Sequence, residues 1–352
     1  MFKKSLLAAS MMGAIIGGKA FAFEFVQPVQ TPVIVTKSQP GLAAGKSTKQ
    51  VTIMRVTLSD TEKQALAHRA SFKGTSLTTS TLPASIQLGM NGVPVLDQGR
   101  HGSCVTFATS AAVDAVLGKG DYMSQLCNLE LGTHLEKYGY TFSGWDGSYG
   151  PTVLNQITTF GIVSKATEKE KSCANVSEYP LNDESNKGNE LSLTEFKSIS
   201  ENLTNKMYWL HLYSNDQLFD WKTAKKDEMT NVLINVKTAL AKGNRVTFGV
   251  FLILNGTCHA GACAKHNAEG DTWALTDDYD TPPYEVGGHE MVITGYDDNA
   301  IAYEDSGKAH KGLLTLRNSW GADVGDQGNY YMSYDYFVKY ANEAQVIVGM
   351  SK

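Results

Sequence analysis

The sequence predicts an α+β protein of two lobes. Two observations carry this. Small and apolar residues recur at helical spacing through the middle of the chain, and strongly apolar β-type runs dominate its last third. With 352 residues, 42% of them hydrophobic, the chain can bury a full core as one large domain or two medium ones. No internal repeat points to a solenoid or propeller.

The elements follow in order. Lys3 and Lys4 precede an apolar stretch from Leu6 to Gly18, and Ala20-Phe21-Ala22 fits a small-residue cleavage site. Residues 1–22 therefore read as a signal peptide. The apolar run is too short to span a bilayer, which takes roughly 20 residues. An exported protein that is not integral to a membrane is expected, secreted or periplasmic. Residues 23 to about 47 read as extended or loose. Within them, Gly41 to Ser47 (GLAAGKS) mimics a phosphate loop, but it has one residue too few between its glycines and no preceding strand. Val51, Ile53, Val56 and Leu58 suggest a strand, and Ser59-Asp60-Thr61-Glu62 is a capping box opening a short helix through about Ala70. Residues 71–81 form a Ser/Thr-rich linker of the kind proteases cut. The main domain starts at Leu82. Helices are expected over Cys104–Leu117, stopped by Gly118, over Val153–Phe160, and over Asp227–Lys242, stopped by Gly243. Strands are expected over Val246–Leu254, Met291–Tyr296 and Leu313–Arg317.

The formal net charge is −5, with no long block of one sign. That balance argues against a nucleic-acid partner, which would show a basic stripe. The five cysteines are Cys104, Cys127, Cys173, Cys258 and Cys263. In an oxidising compartment they should pair, leaving one over.

Cys104 opens its helix behind Ser103, a good cap residue. Unpaired N–H groups and the helix dipole there favour a thiolate and can stabilise an oxyanion. Gln98, six residues upstream, offers a second donor. A nucleophilic thiol also needs a base, and the base an orienting group. His289 follows two glycines and immediately precedes an apolar strand. Asn318 ends the next strand, and its carbonyl can accept from an imidazole N–H. The other seven His lack such a setting.

Taken together, these segments resemble the papain-like cysteine peptidases. Gln98-Gly99 with Gly102-Ser103-Cys104 is similar to that family's nucleophile segment. Gly288-His289 with Gly295-Tyr296 is similar to its His segment. Asn318-Ser319-Trp320-Gly321, continued by Gly325, Gly328 and Tyr330, is similar to its Asn segment. Weaker likenesses are Leu82-Pro83 at the mature start, Met123 to Cys127 at the second helix, and Lys237 to Val250 as helix then strand. The resemblance covers roughly residues 82–350. It implies a papain-like two-lobed fold, a helical lobe plus an antiparallel β-barrel-like lobe, with the catalytic cleft between them. It implies Cys104 as nucleophile, His289 as base and acid, Asn318 as its orienting group, Gln98 with the Cys104 N–H as the oxyanion hole, and Trp320 as a shield over the His–Asn bond. Gly147 and Ser148 would edge the cleft where substrate backbone lies. The activity implied is peptide-bond hydrolysis through an acyl-enzyme, with no cofactor or metal, by a monomer acting on proteins or peptides.

The departures are specific. Val105 replaces the aromatic after the nucleophile, and Val324 replaces the second Trp of the Asn segment. His101 and Trp145 stand where many relatives have the two halves of a disulfide. Cys104 and His289 lie further apart than the usual ~130–150 residues, so an insertion is expected at about 173–227. Asp297–Lys311 reads as a polar loop lengthening the stretch to Asn318. Residues 23–81 would be a pro-segment inhibiting its own domain, residues 82–352. With Cys104 as nucleophile, Cys127–Cys173 and Cys258–Cys263 would pair. The rival for the second pair is a zinc site of Cys258, His259, Cys263 and His266. The acidic stretches Asp277–Asp280 and Asp297–Asn299 lack the twelve-residue calcium pattern and read as solvated loops. The rival functions are a binding protein of the same fold with impaired chemistry, motivated by Val105 and Val324, and a thiol-dependent acyl transferase.

Overall fold

The computed structural model describes residues 24–35, 48–69, 82–183, 185, 187–214, 228–253, 263–279, 282 and 285–350. The signal-peptide stretch 1–22, the glycine-rich mimic at 41–47, the linker 71–81 and the Cys258-His259 pair lie outside them.

The strands are β1 (Glu24–Ile34), β2 (Thr48–Thr57), β3 (Ser85–Gln87), β4 (Met207–Tyr213), β5 (Arg245–Leu252), β6 (Thr272–Trp273), β7 (Glu285–Tyr303), β8 (Ala309–Arg317), β9 (Asn329–Ser333) and β10 (Ala341–Gly349). The helices are α1 (Asp60–His68), α2 (Cys104–Leu117), α3 (Gln125–Lys137), α4 (Gly150–Phe160), α5 (Lys165–Lys171), α6 (Leu193–Ile199), α7 (Glu228–Ala241) and α8 (Tyr334–Tyr340). The fold is papain-like, with a helical lobe built on α2–α6 beside one large sheet. That sheet runs β4-β10-β5-β7-β8-β9-β6, antiparallel except for the β6–β9 pair.

The longest strand, β7, carries the fold. It pairs with β2 at Glu285–Gly288, with β5 from Gly287 to Ile293, with β3 at Gly295–Asp297, and with β8 from Val292 to Tyr303. Its central residues are buried on both faces, which explains the unbroken apolar run. The strand begins at Glu285, so His289 lies within it rather than just before it. The stretch 297–311 is the tip of the β7–β8 hairpin and not a free loop. Tyr303 pairs with Ala309 across it. Its side chains are polar because a solvated hairpin needs no apolar alternation to close its ladder.

The helix expectations hold at α2, α4 and α7. Gly118 and Gly243 close their helices with φ of +64° and +82°. Pro151 lets α4 begin earlier than its apolar spacing indicates. The capping box of α1 is present, with Ser59 and Glu62 each satisfying the other's backbone N–H. Residues 24–34, expected as extended or loose, are extended and form β1, paired with β2 along its length. The stretch expected as an insertion supplies α6 against α3 and the edge strand β4.

Residues 48–69 share the core of the sheet lobe. Val51, Ile53, Val56, Leu58 and Leu66 are essentially fully buried with Phe248, Met291 and Trp320. Arg69 ends the segment by donating to the carbonyls of Lys339 and Ala341 at 2.8 and 2.7 Å. Cys127 and Cys173 form a disulfide within the helical lobe. Cys263 is also disulfide-bonded, which removes it from the zinc set considered above. Among the described residues no cluster of His, Cys, Asp and Glu could hold a metal, and no helix is long and apolar enough to cross a membrane.

Candidate active site

Cys104 is the first residue of α2 and the only free cysteine among the described residues. The helix runs along the lobe junction, touching α3 and α4 on one side and β5, β7 and β10 on the other. Ser103 holds the cap position, but its side chain does not cap. Its φ and ψ are −100° and 15°, and its hydroxyl meets Tyr179 Oη at 3.0 Å instead. The first-turn N–H groups therefore have no side-chain acceptor at that cap. Cys104 is 3% exposed, and burial pushes the thiol up to about 12. Backbone N–H groups of Glu290, Val105 and Cys104 pull the other way.

His289 faces Cys104 across a shared cavity, held by β7 between β5 and β2. Its Nε2 donates to Asn318 Oδ1 at 2.8 Å. The same oxygen accepts the Ser319 N–H at 2.7 Å, which fixes the amide. Nδ1 is buried with no hydrogen-bond partner among the described residues. Trp320 stacks on the imidazole, with centroids 4.6 Å apart. Burial lowers the imidazole to about 4, against the opposing Asn318 bond. Thiol and imidazole are thus both neutral here at pH 7.

Gln98 is fully buried and bridges the lobes. Its Oε1 accepts from Ser319 Oγ at 2.7 Å, and its Nε2 donates to the His101 carbonyl at 2.9 Å. The same Nε2 donates to the Thr52 carbonyl of β2 at 3.3 Å. Gly147 and Ser148 line the cavity with Cys104, His289 and Met54. Four of the six expected site residues thus line one cavity, while Asn318 is bonded to His289 and Gln98 to Ser319 behind it, and Met54 of β2 lines the same cavity.

Several residues at the site carried no sequence signal. Tyr179 donates to the Gln98 carbonyl at 2.8 Å and packs on His101, Phe107 and Trp145. His101 and Trp145, standing at the two disulfide positions, touch edge to face at 4.8 Å. The three rings thus pack together, two edge to face and one stacked, where the resemblance implies a pair of cysteines. A Cβ on Gly99 would fall 1.8 Å from the Leu181 carbonyl oxygen, so this glycine lets the 179–181 segment approach. Under the cavity lie Glu290 and Glu343, both buried and both pushed upward by burial. Glu343 raises Glu290 further, so Glu290 is the partner that keeps its proton. Glu290 follows His289 directly, but its pairing with Glu343 is made by folding and is not written in the sequence around it.

The Peptidase C1-like family matches residues 284–350, which hold His289, Asn318 and Trp320. Among solved structures, the clostridial cysteine protease Cwp84 after propeptide cleavage is 18% identical over 76% of this chain and 57% of that one, at a TM-score of 0.50. A structure of the cysteine protease and lectin-like domains of Cwp84 from Clostridium difficile is 17% identical over 77% and 52%, also at 0.50. This chain thus spans little more than half of either Cwp84 chain. Xylellain, a cysteine protease from Xylella fastidiosa, is 18% identical over 76% of this chain and 87% of its own, at 0.46. No curated protein matches the sequence. The fold is thus papain-like, and residues 284–350, which carry His289, Asn318 and Trp320, match the Peptidase C1-like family.

Proposed function

We propose that the chain is an exported cysteine peptidase made as a zymogen, with residues 82–352 as the enzyme and residues 23–81 as its inhibitory pro-segment. The observation that carries this is the His289–Asn318–Trp320 arrangement sharing a cavity with Cys104, while β2 lies across both. Val105 and Val324, the two departures that favour a mere binding protein, have a packing role. Val105 lines the cavity that takes Met54, and Val324 bridges to Val35 of the segment. Their apolar character suits a covered cleft and needs no loss of chemistry.

In the reaction, His289 Nδ1 takes the Cys104 proton and the resulting thiolate attacks the scissile carbonyl carbon. The oxyanion takes hydrogen bonds from the Cys104 N–H and from Gln98 Nε2. His289 gives its proton to the departing amine, leaving a thioester on Cys104. Water then attacks with His289 taking its proton, and the acid product leaves. Asn318 holds the ring so that Nδ1 points at sulfur and water. Gly147 and Ser148 would hold substrate backbone.

The pro-segment silences the site in two ways. The Thr52 carbonyl already occupies the Gln98 donor. The strand also dries the pair, so that the neutral thiol and imidazole are preferred over the ion pair. Removing the strand readmits water and restores the thiolate at the helix N-terminus. The test is mass spectrometry of intact and processed protein with limiting iodoacetamide, beside Cys104→Ala. Labelling at Cys104 should rise at least ~100-fold on processing. A thiol that stays as slow as a free cysteine once residues 23–81 are gone would end the peptidase reading.

A further inference from the structure

Lys49 of β2 reaches a site that the chemistry above does not use. Its Nζ lies 2.6 Å from Asp97 Oδ2, 2.8 Å from the Trp320 carbonyl oxygen and 3.1 Å from Asp323 Oδ1. We propose that Asp97, Asp323 and the Trp320 carbonyl form a subsite for a cationic side chain, lysine or arginine, of the substrate. The inference rests on the peptidase reading and adds a substrate preference to it.

The site is held in place by contacts that do not involve Lys49. Asp97 Oδ1 accepts the Gly99 N–H at 2.9 Å, which leaves Oδ2 for the ligand. Asp97 bridges to Trp320, the Gln98 N–H donates to the Ser319 carbonyl at 2.8 Å, and the Gly321 N–H donates to the Leu96 carbonyl at 3.0 Å. The two segments that bring Gln98 and Asn318 together therefore also set the distance between the acidic groups. Gly321 makes the room. A Cβ there would fall 2.7 Å from Lys49 Nζ and 2.9 Å from Asp97 Oδ2. Lys49 is itself the bound cation in this state, with only 23% of its side chain exposed. Asp97 and Asp323 hold its ammonium charged despite burial that opposes the charge.

The pro-segment also shows where on a substrate the cation sits. Its Thr52 carbonyl meets Gln98, the donor that the reaction offers to the scissile carbonyl. Lys49 lies three residues away along an extended strand, roughly 10 Å at about 3.3 Å per residue. The opposite direction leads to Met54 and the cavity beside Gly288. The subsite therefore reads a substrate side chain two or three residues from the scissile bond, on the Trp320 side of the cleft. When β2 leaves, two carboxylates and a carbonyl lose their cation and repel each other until another takes its place.

The test uses processed enzyme and quenched-fluorescence peptides with a glutamine frame, in which one lysine is moved residue by residue across both sides of the scissile bond. Lysine at one position on the Trp320 side should raise kcat/KM about tenfold over glutamine. Asp97→Asn and Asp323→Asn should each bring that ratio toward one. The Asp323 side chain is half exposed, so that variant should fold even if the Asp97 variant does not. Cys104 labelling is measured on the same samples. Labelled enzyme that cuts the peptides with no lysine gain at any position overturns the subsite, as does a gain that survives Asp323→Asn. Processed protein whose Cys104 does not label overturns the peptidase reading, and the subsite with it.

Discussion

The two walls of the cleft are completed differently. The helical lobe closes on its own residues. Cys127–Cys173 ties α3 to the stretch after α5, and Tyr179 locks the loop before Cys104 onto Trp145. The sheet lobe closes on residues 48–69, which are proposed to leave. Val51, Ile53 and Val56 fill the same core as Phe248 and Met291, and β2 adds its ladder to β7. The helical wall thus keeps a core independent of the cover and meets it at its rim, where Thr52 bonds Gln98, Lys49 bonds Asp97 and Met54 lies beside Val105, whereas the sheet wall shares its core with it. The first wall carries Cys104, and the shared wall carries His289. On the proposed zymogen reading, the cover can leave with the core under the nucleophile unchanged.

The largest expected effect probes the independent wall. The disulfide closes a separation of 46 residues, and losing it costs about 4 kcal/mol by loop entropy. Cys127→Ser with Cys173→Ser should lose that amount in a denaturant titration of both intact and processed protein. Equal stability with and without the bridge would mean that the aromatic stack alone holds this lobe.

Val56→Ala breaks the shared wall. Val56 is fully buried opposite Val286, and the truncation should cost about 2 kcal/mol in the intact chain. The same variant should match wild type once residues 23–81 are removed. A thermal melt before and after processing decides this. A penalty that persists after processing would show that the segment stays bound.

The smallest effect is a pH dependence confined to the helical lobe. Burial pushes Glu130 up to about 8. The folded state therefore holds a proton that the unfolded chain releases near 4.5, and stability falls as pH rises from about 4.5 to 8. Glu130→Gln removes the loss. Its melting temperature should exceed wild type by about 3 °C at pH 8 and by nothing at pH 4. A gain equal at both pH values would place the effect in packing.

How far the sequence reading reached depends on range. Helices α2, α4 and α7 were legible because their apolar spacing and glycine stops are local. So was the capping box of α1. Strand β1 was not, because its register is written in β2 and nothing within residues 24–34 alternates cleanly. The cap at Ser103 was misread because Tyr179, far along the chain, competes for its hydroxyl. The candidate residues Cys104, His289, Asn318, Gln98, Gly147 and Ser148 were each identified by neighbours in sequence. Thr52, Met54, Lys49 and Tyr179 were not, since each matters only through a partner dozens to hundreds of residues away.

By itself, then, the amino-acid order determined which side chains could do chemistry and which stretches would be helix or strand. Those properties follow from residue type, periodicity and capping within a few residues. Only the tertiary structure decided that β2 covers the cleft, that the rings of His101, Trp145 and Tyr179 pack together, and that two aspartates face a lysine of the segment. Such pairings are settled by which surfaces bury best against one another, and burial is a property of the folded chain as a whole.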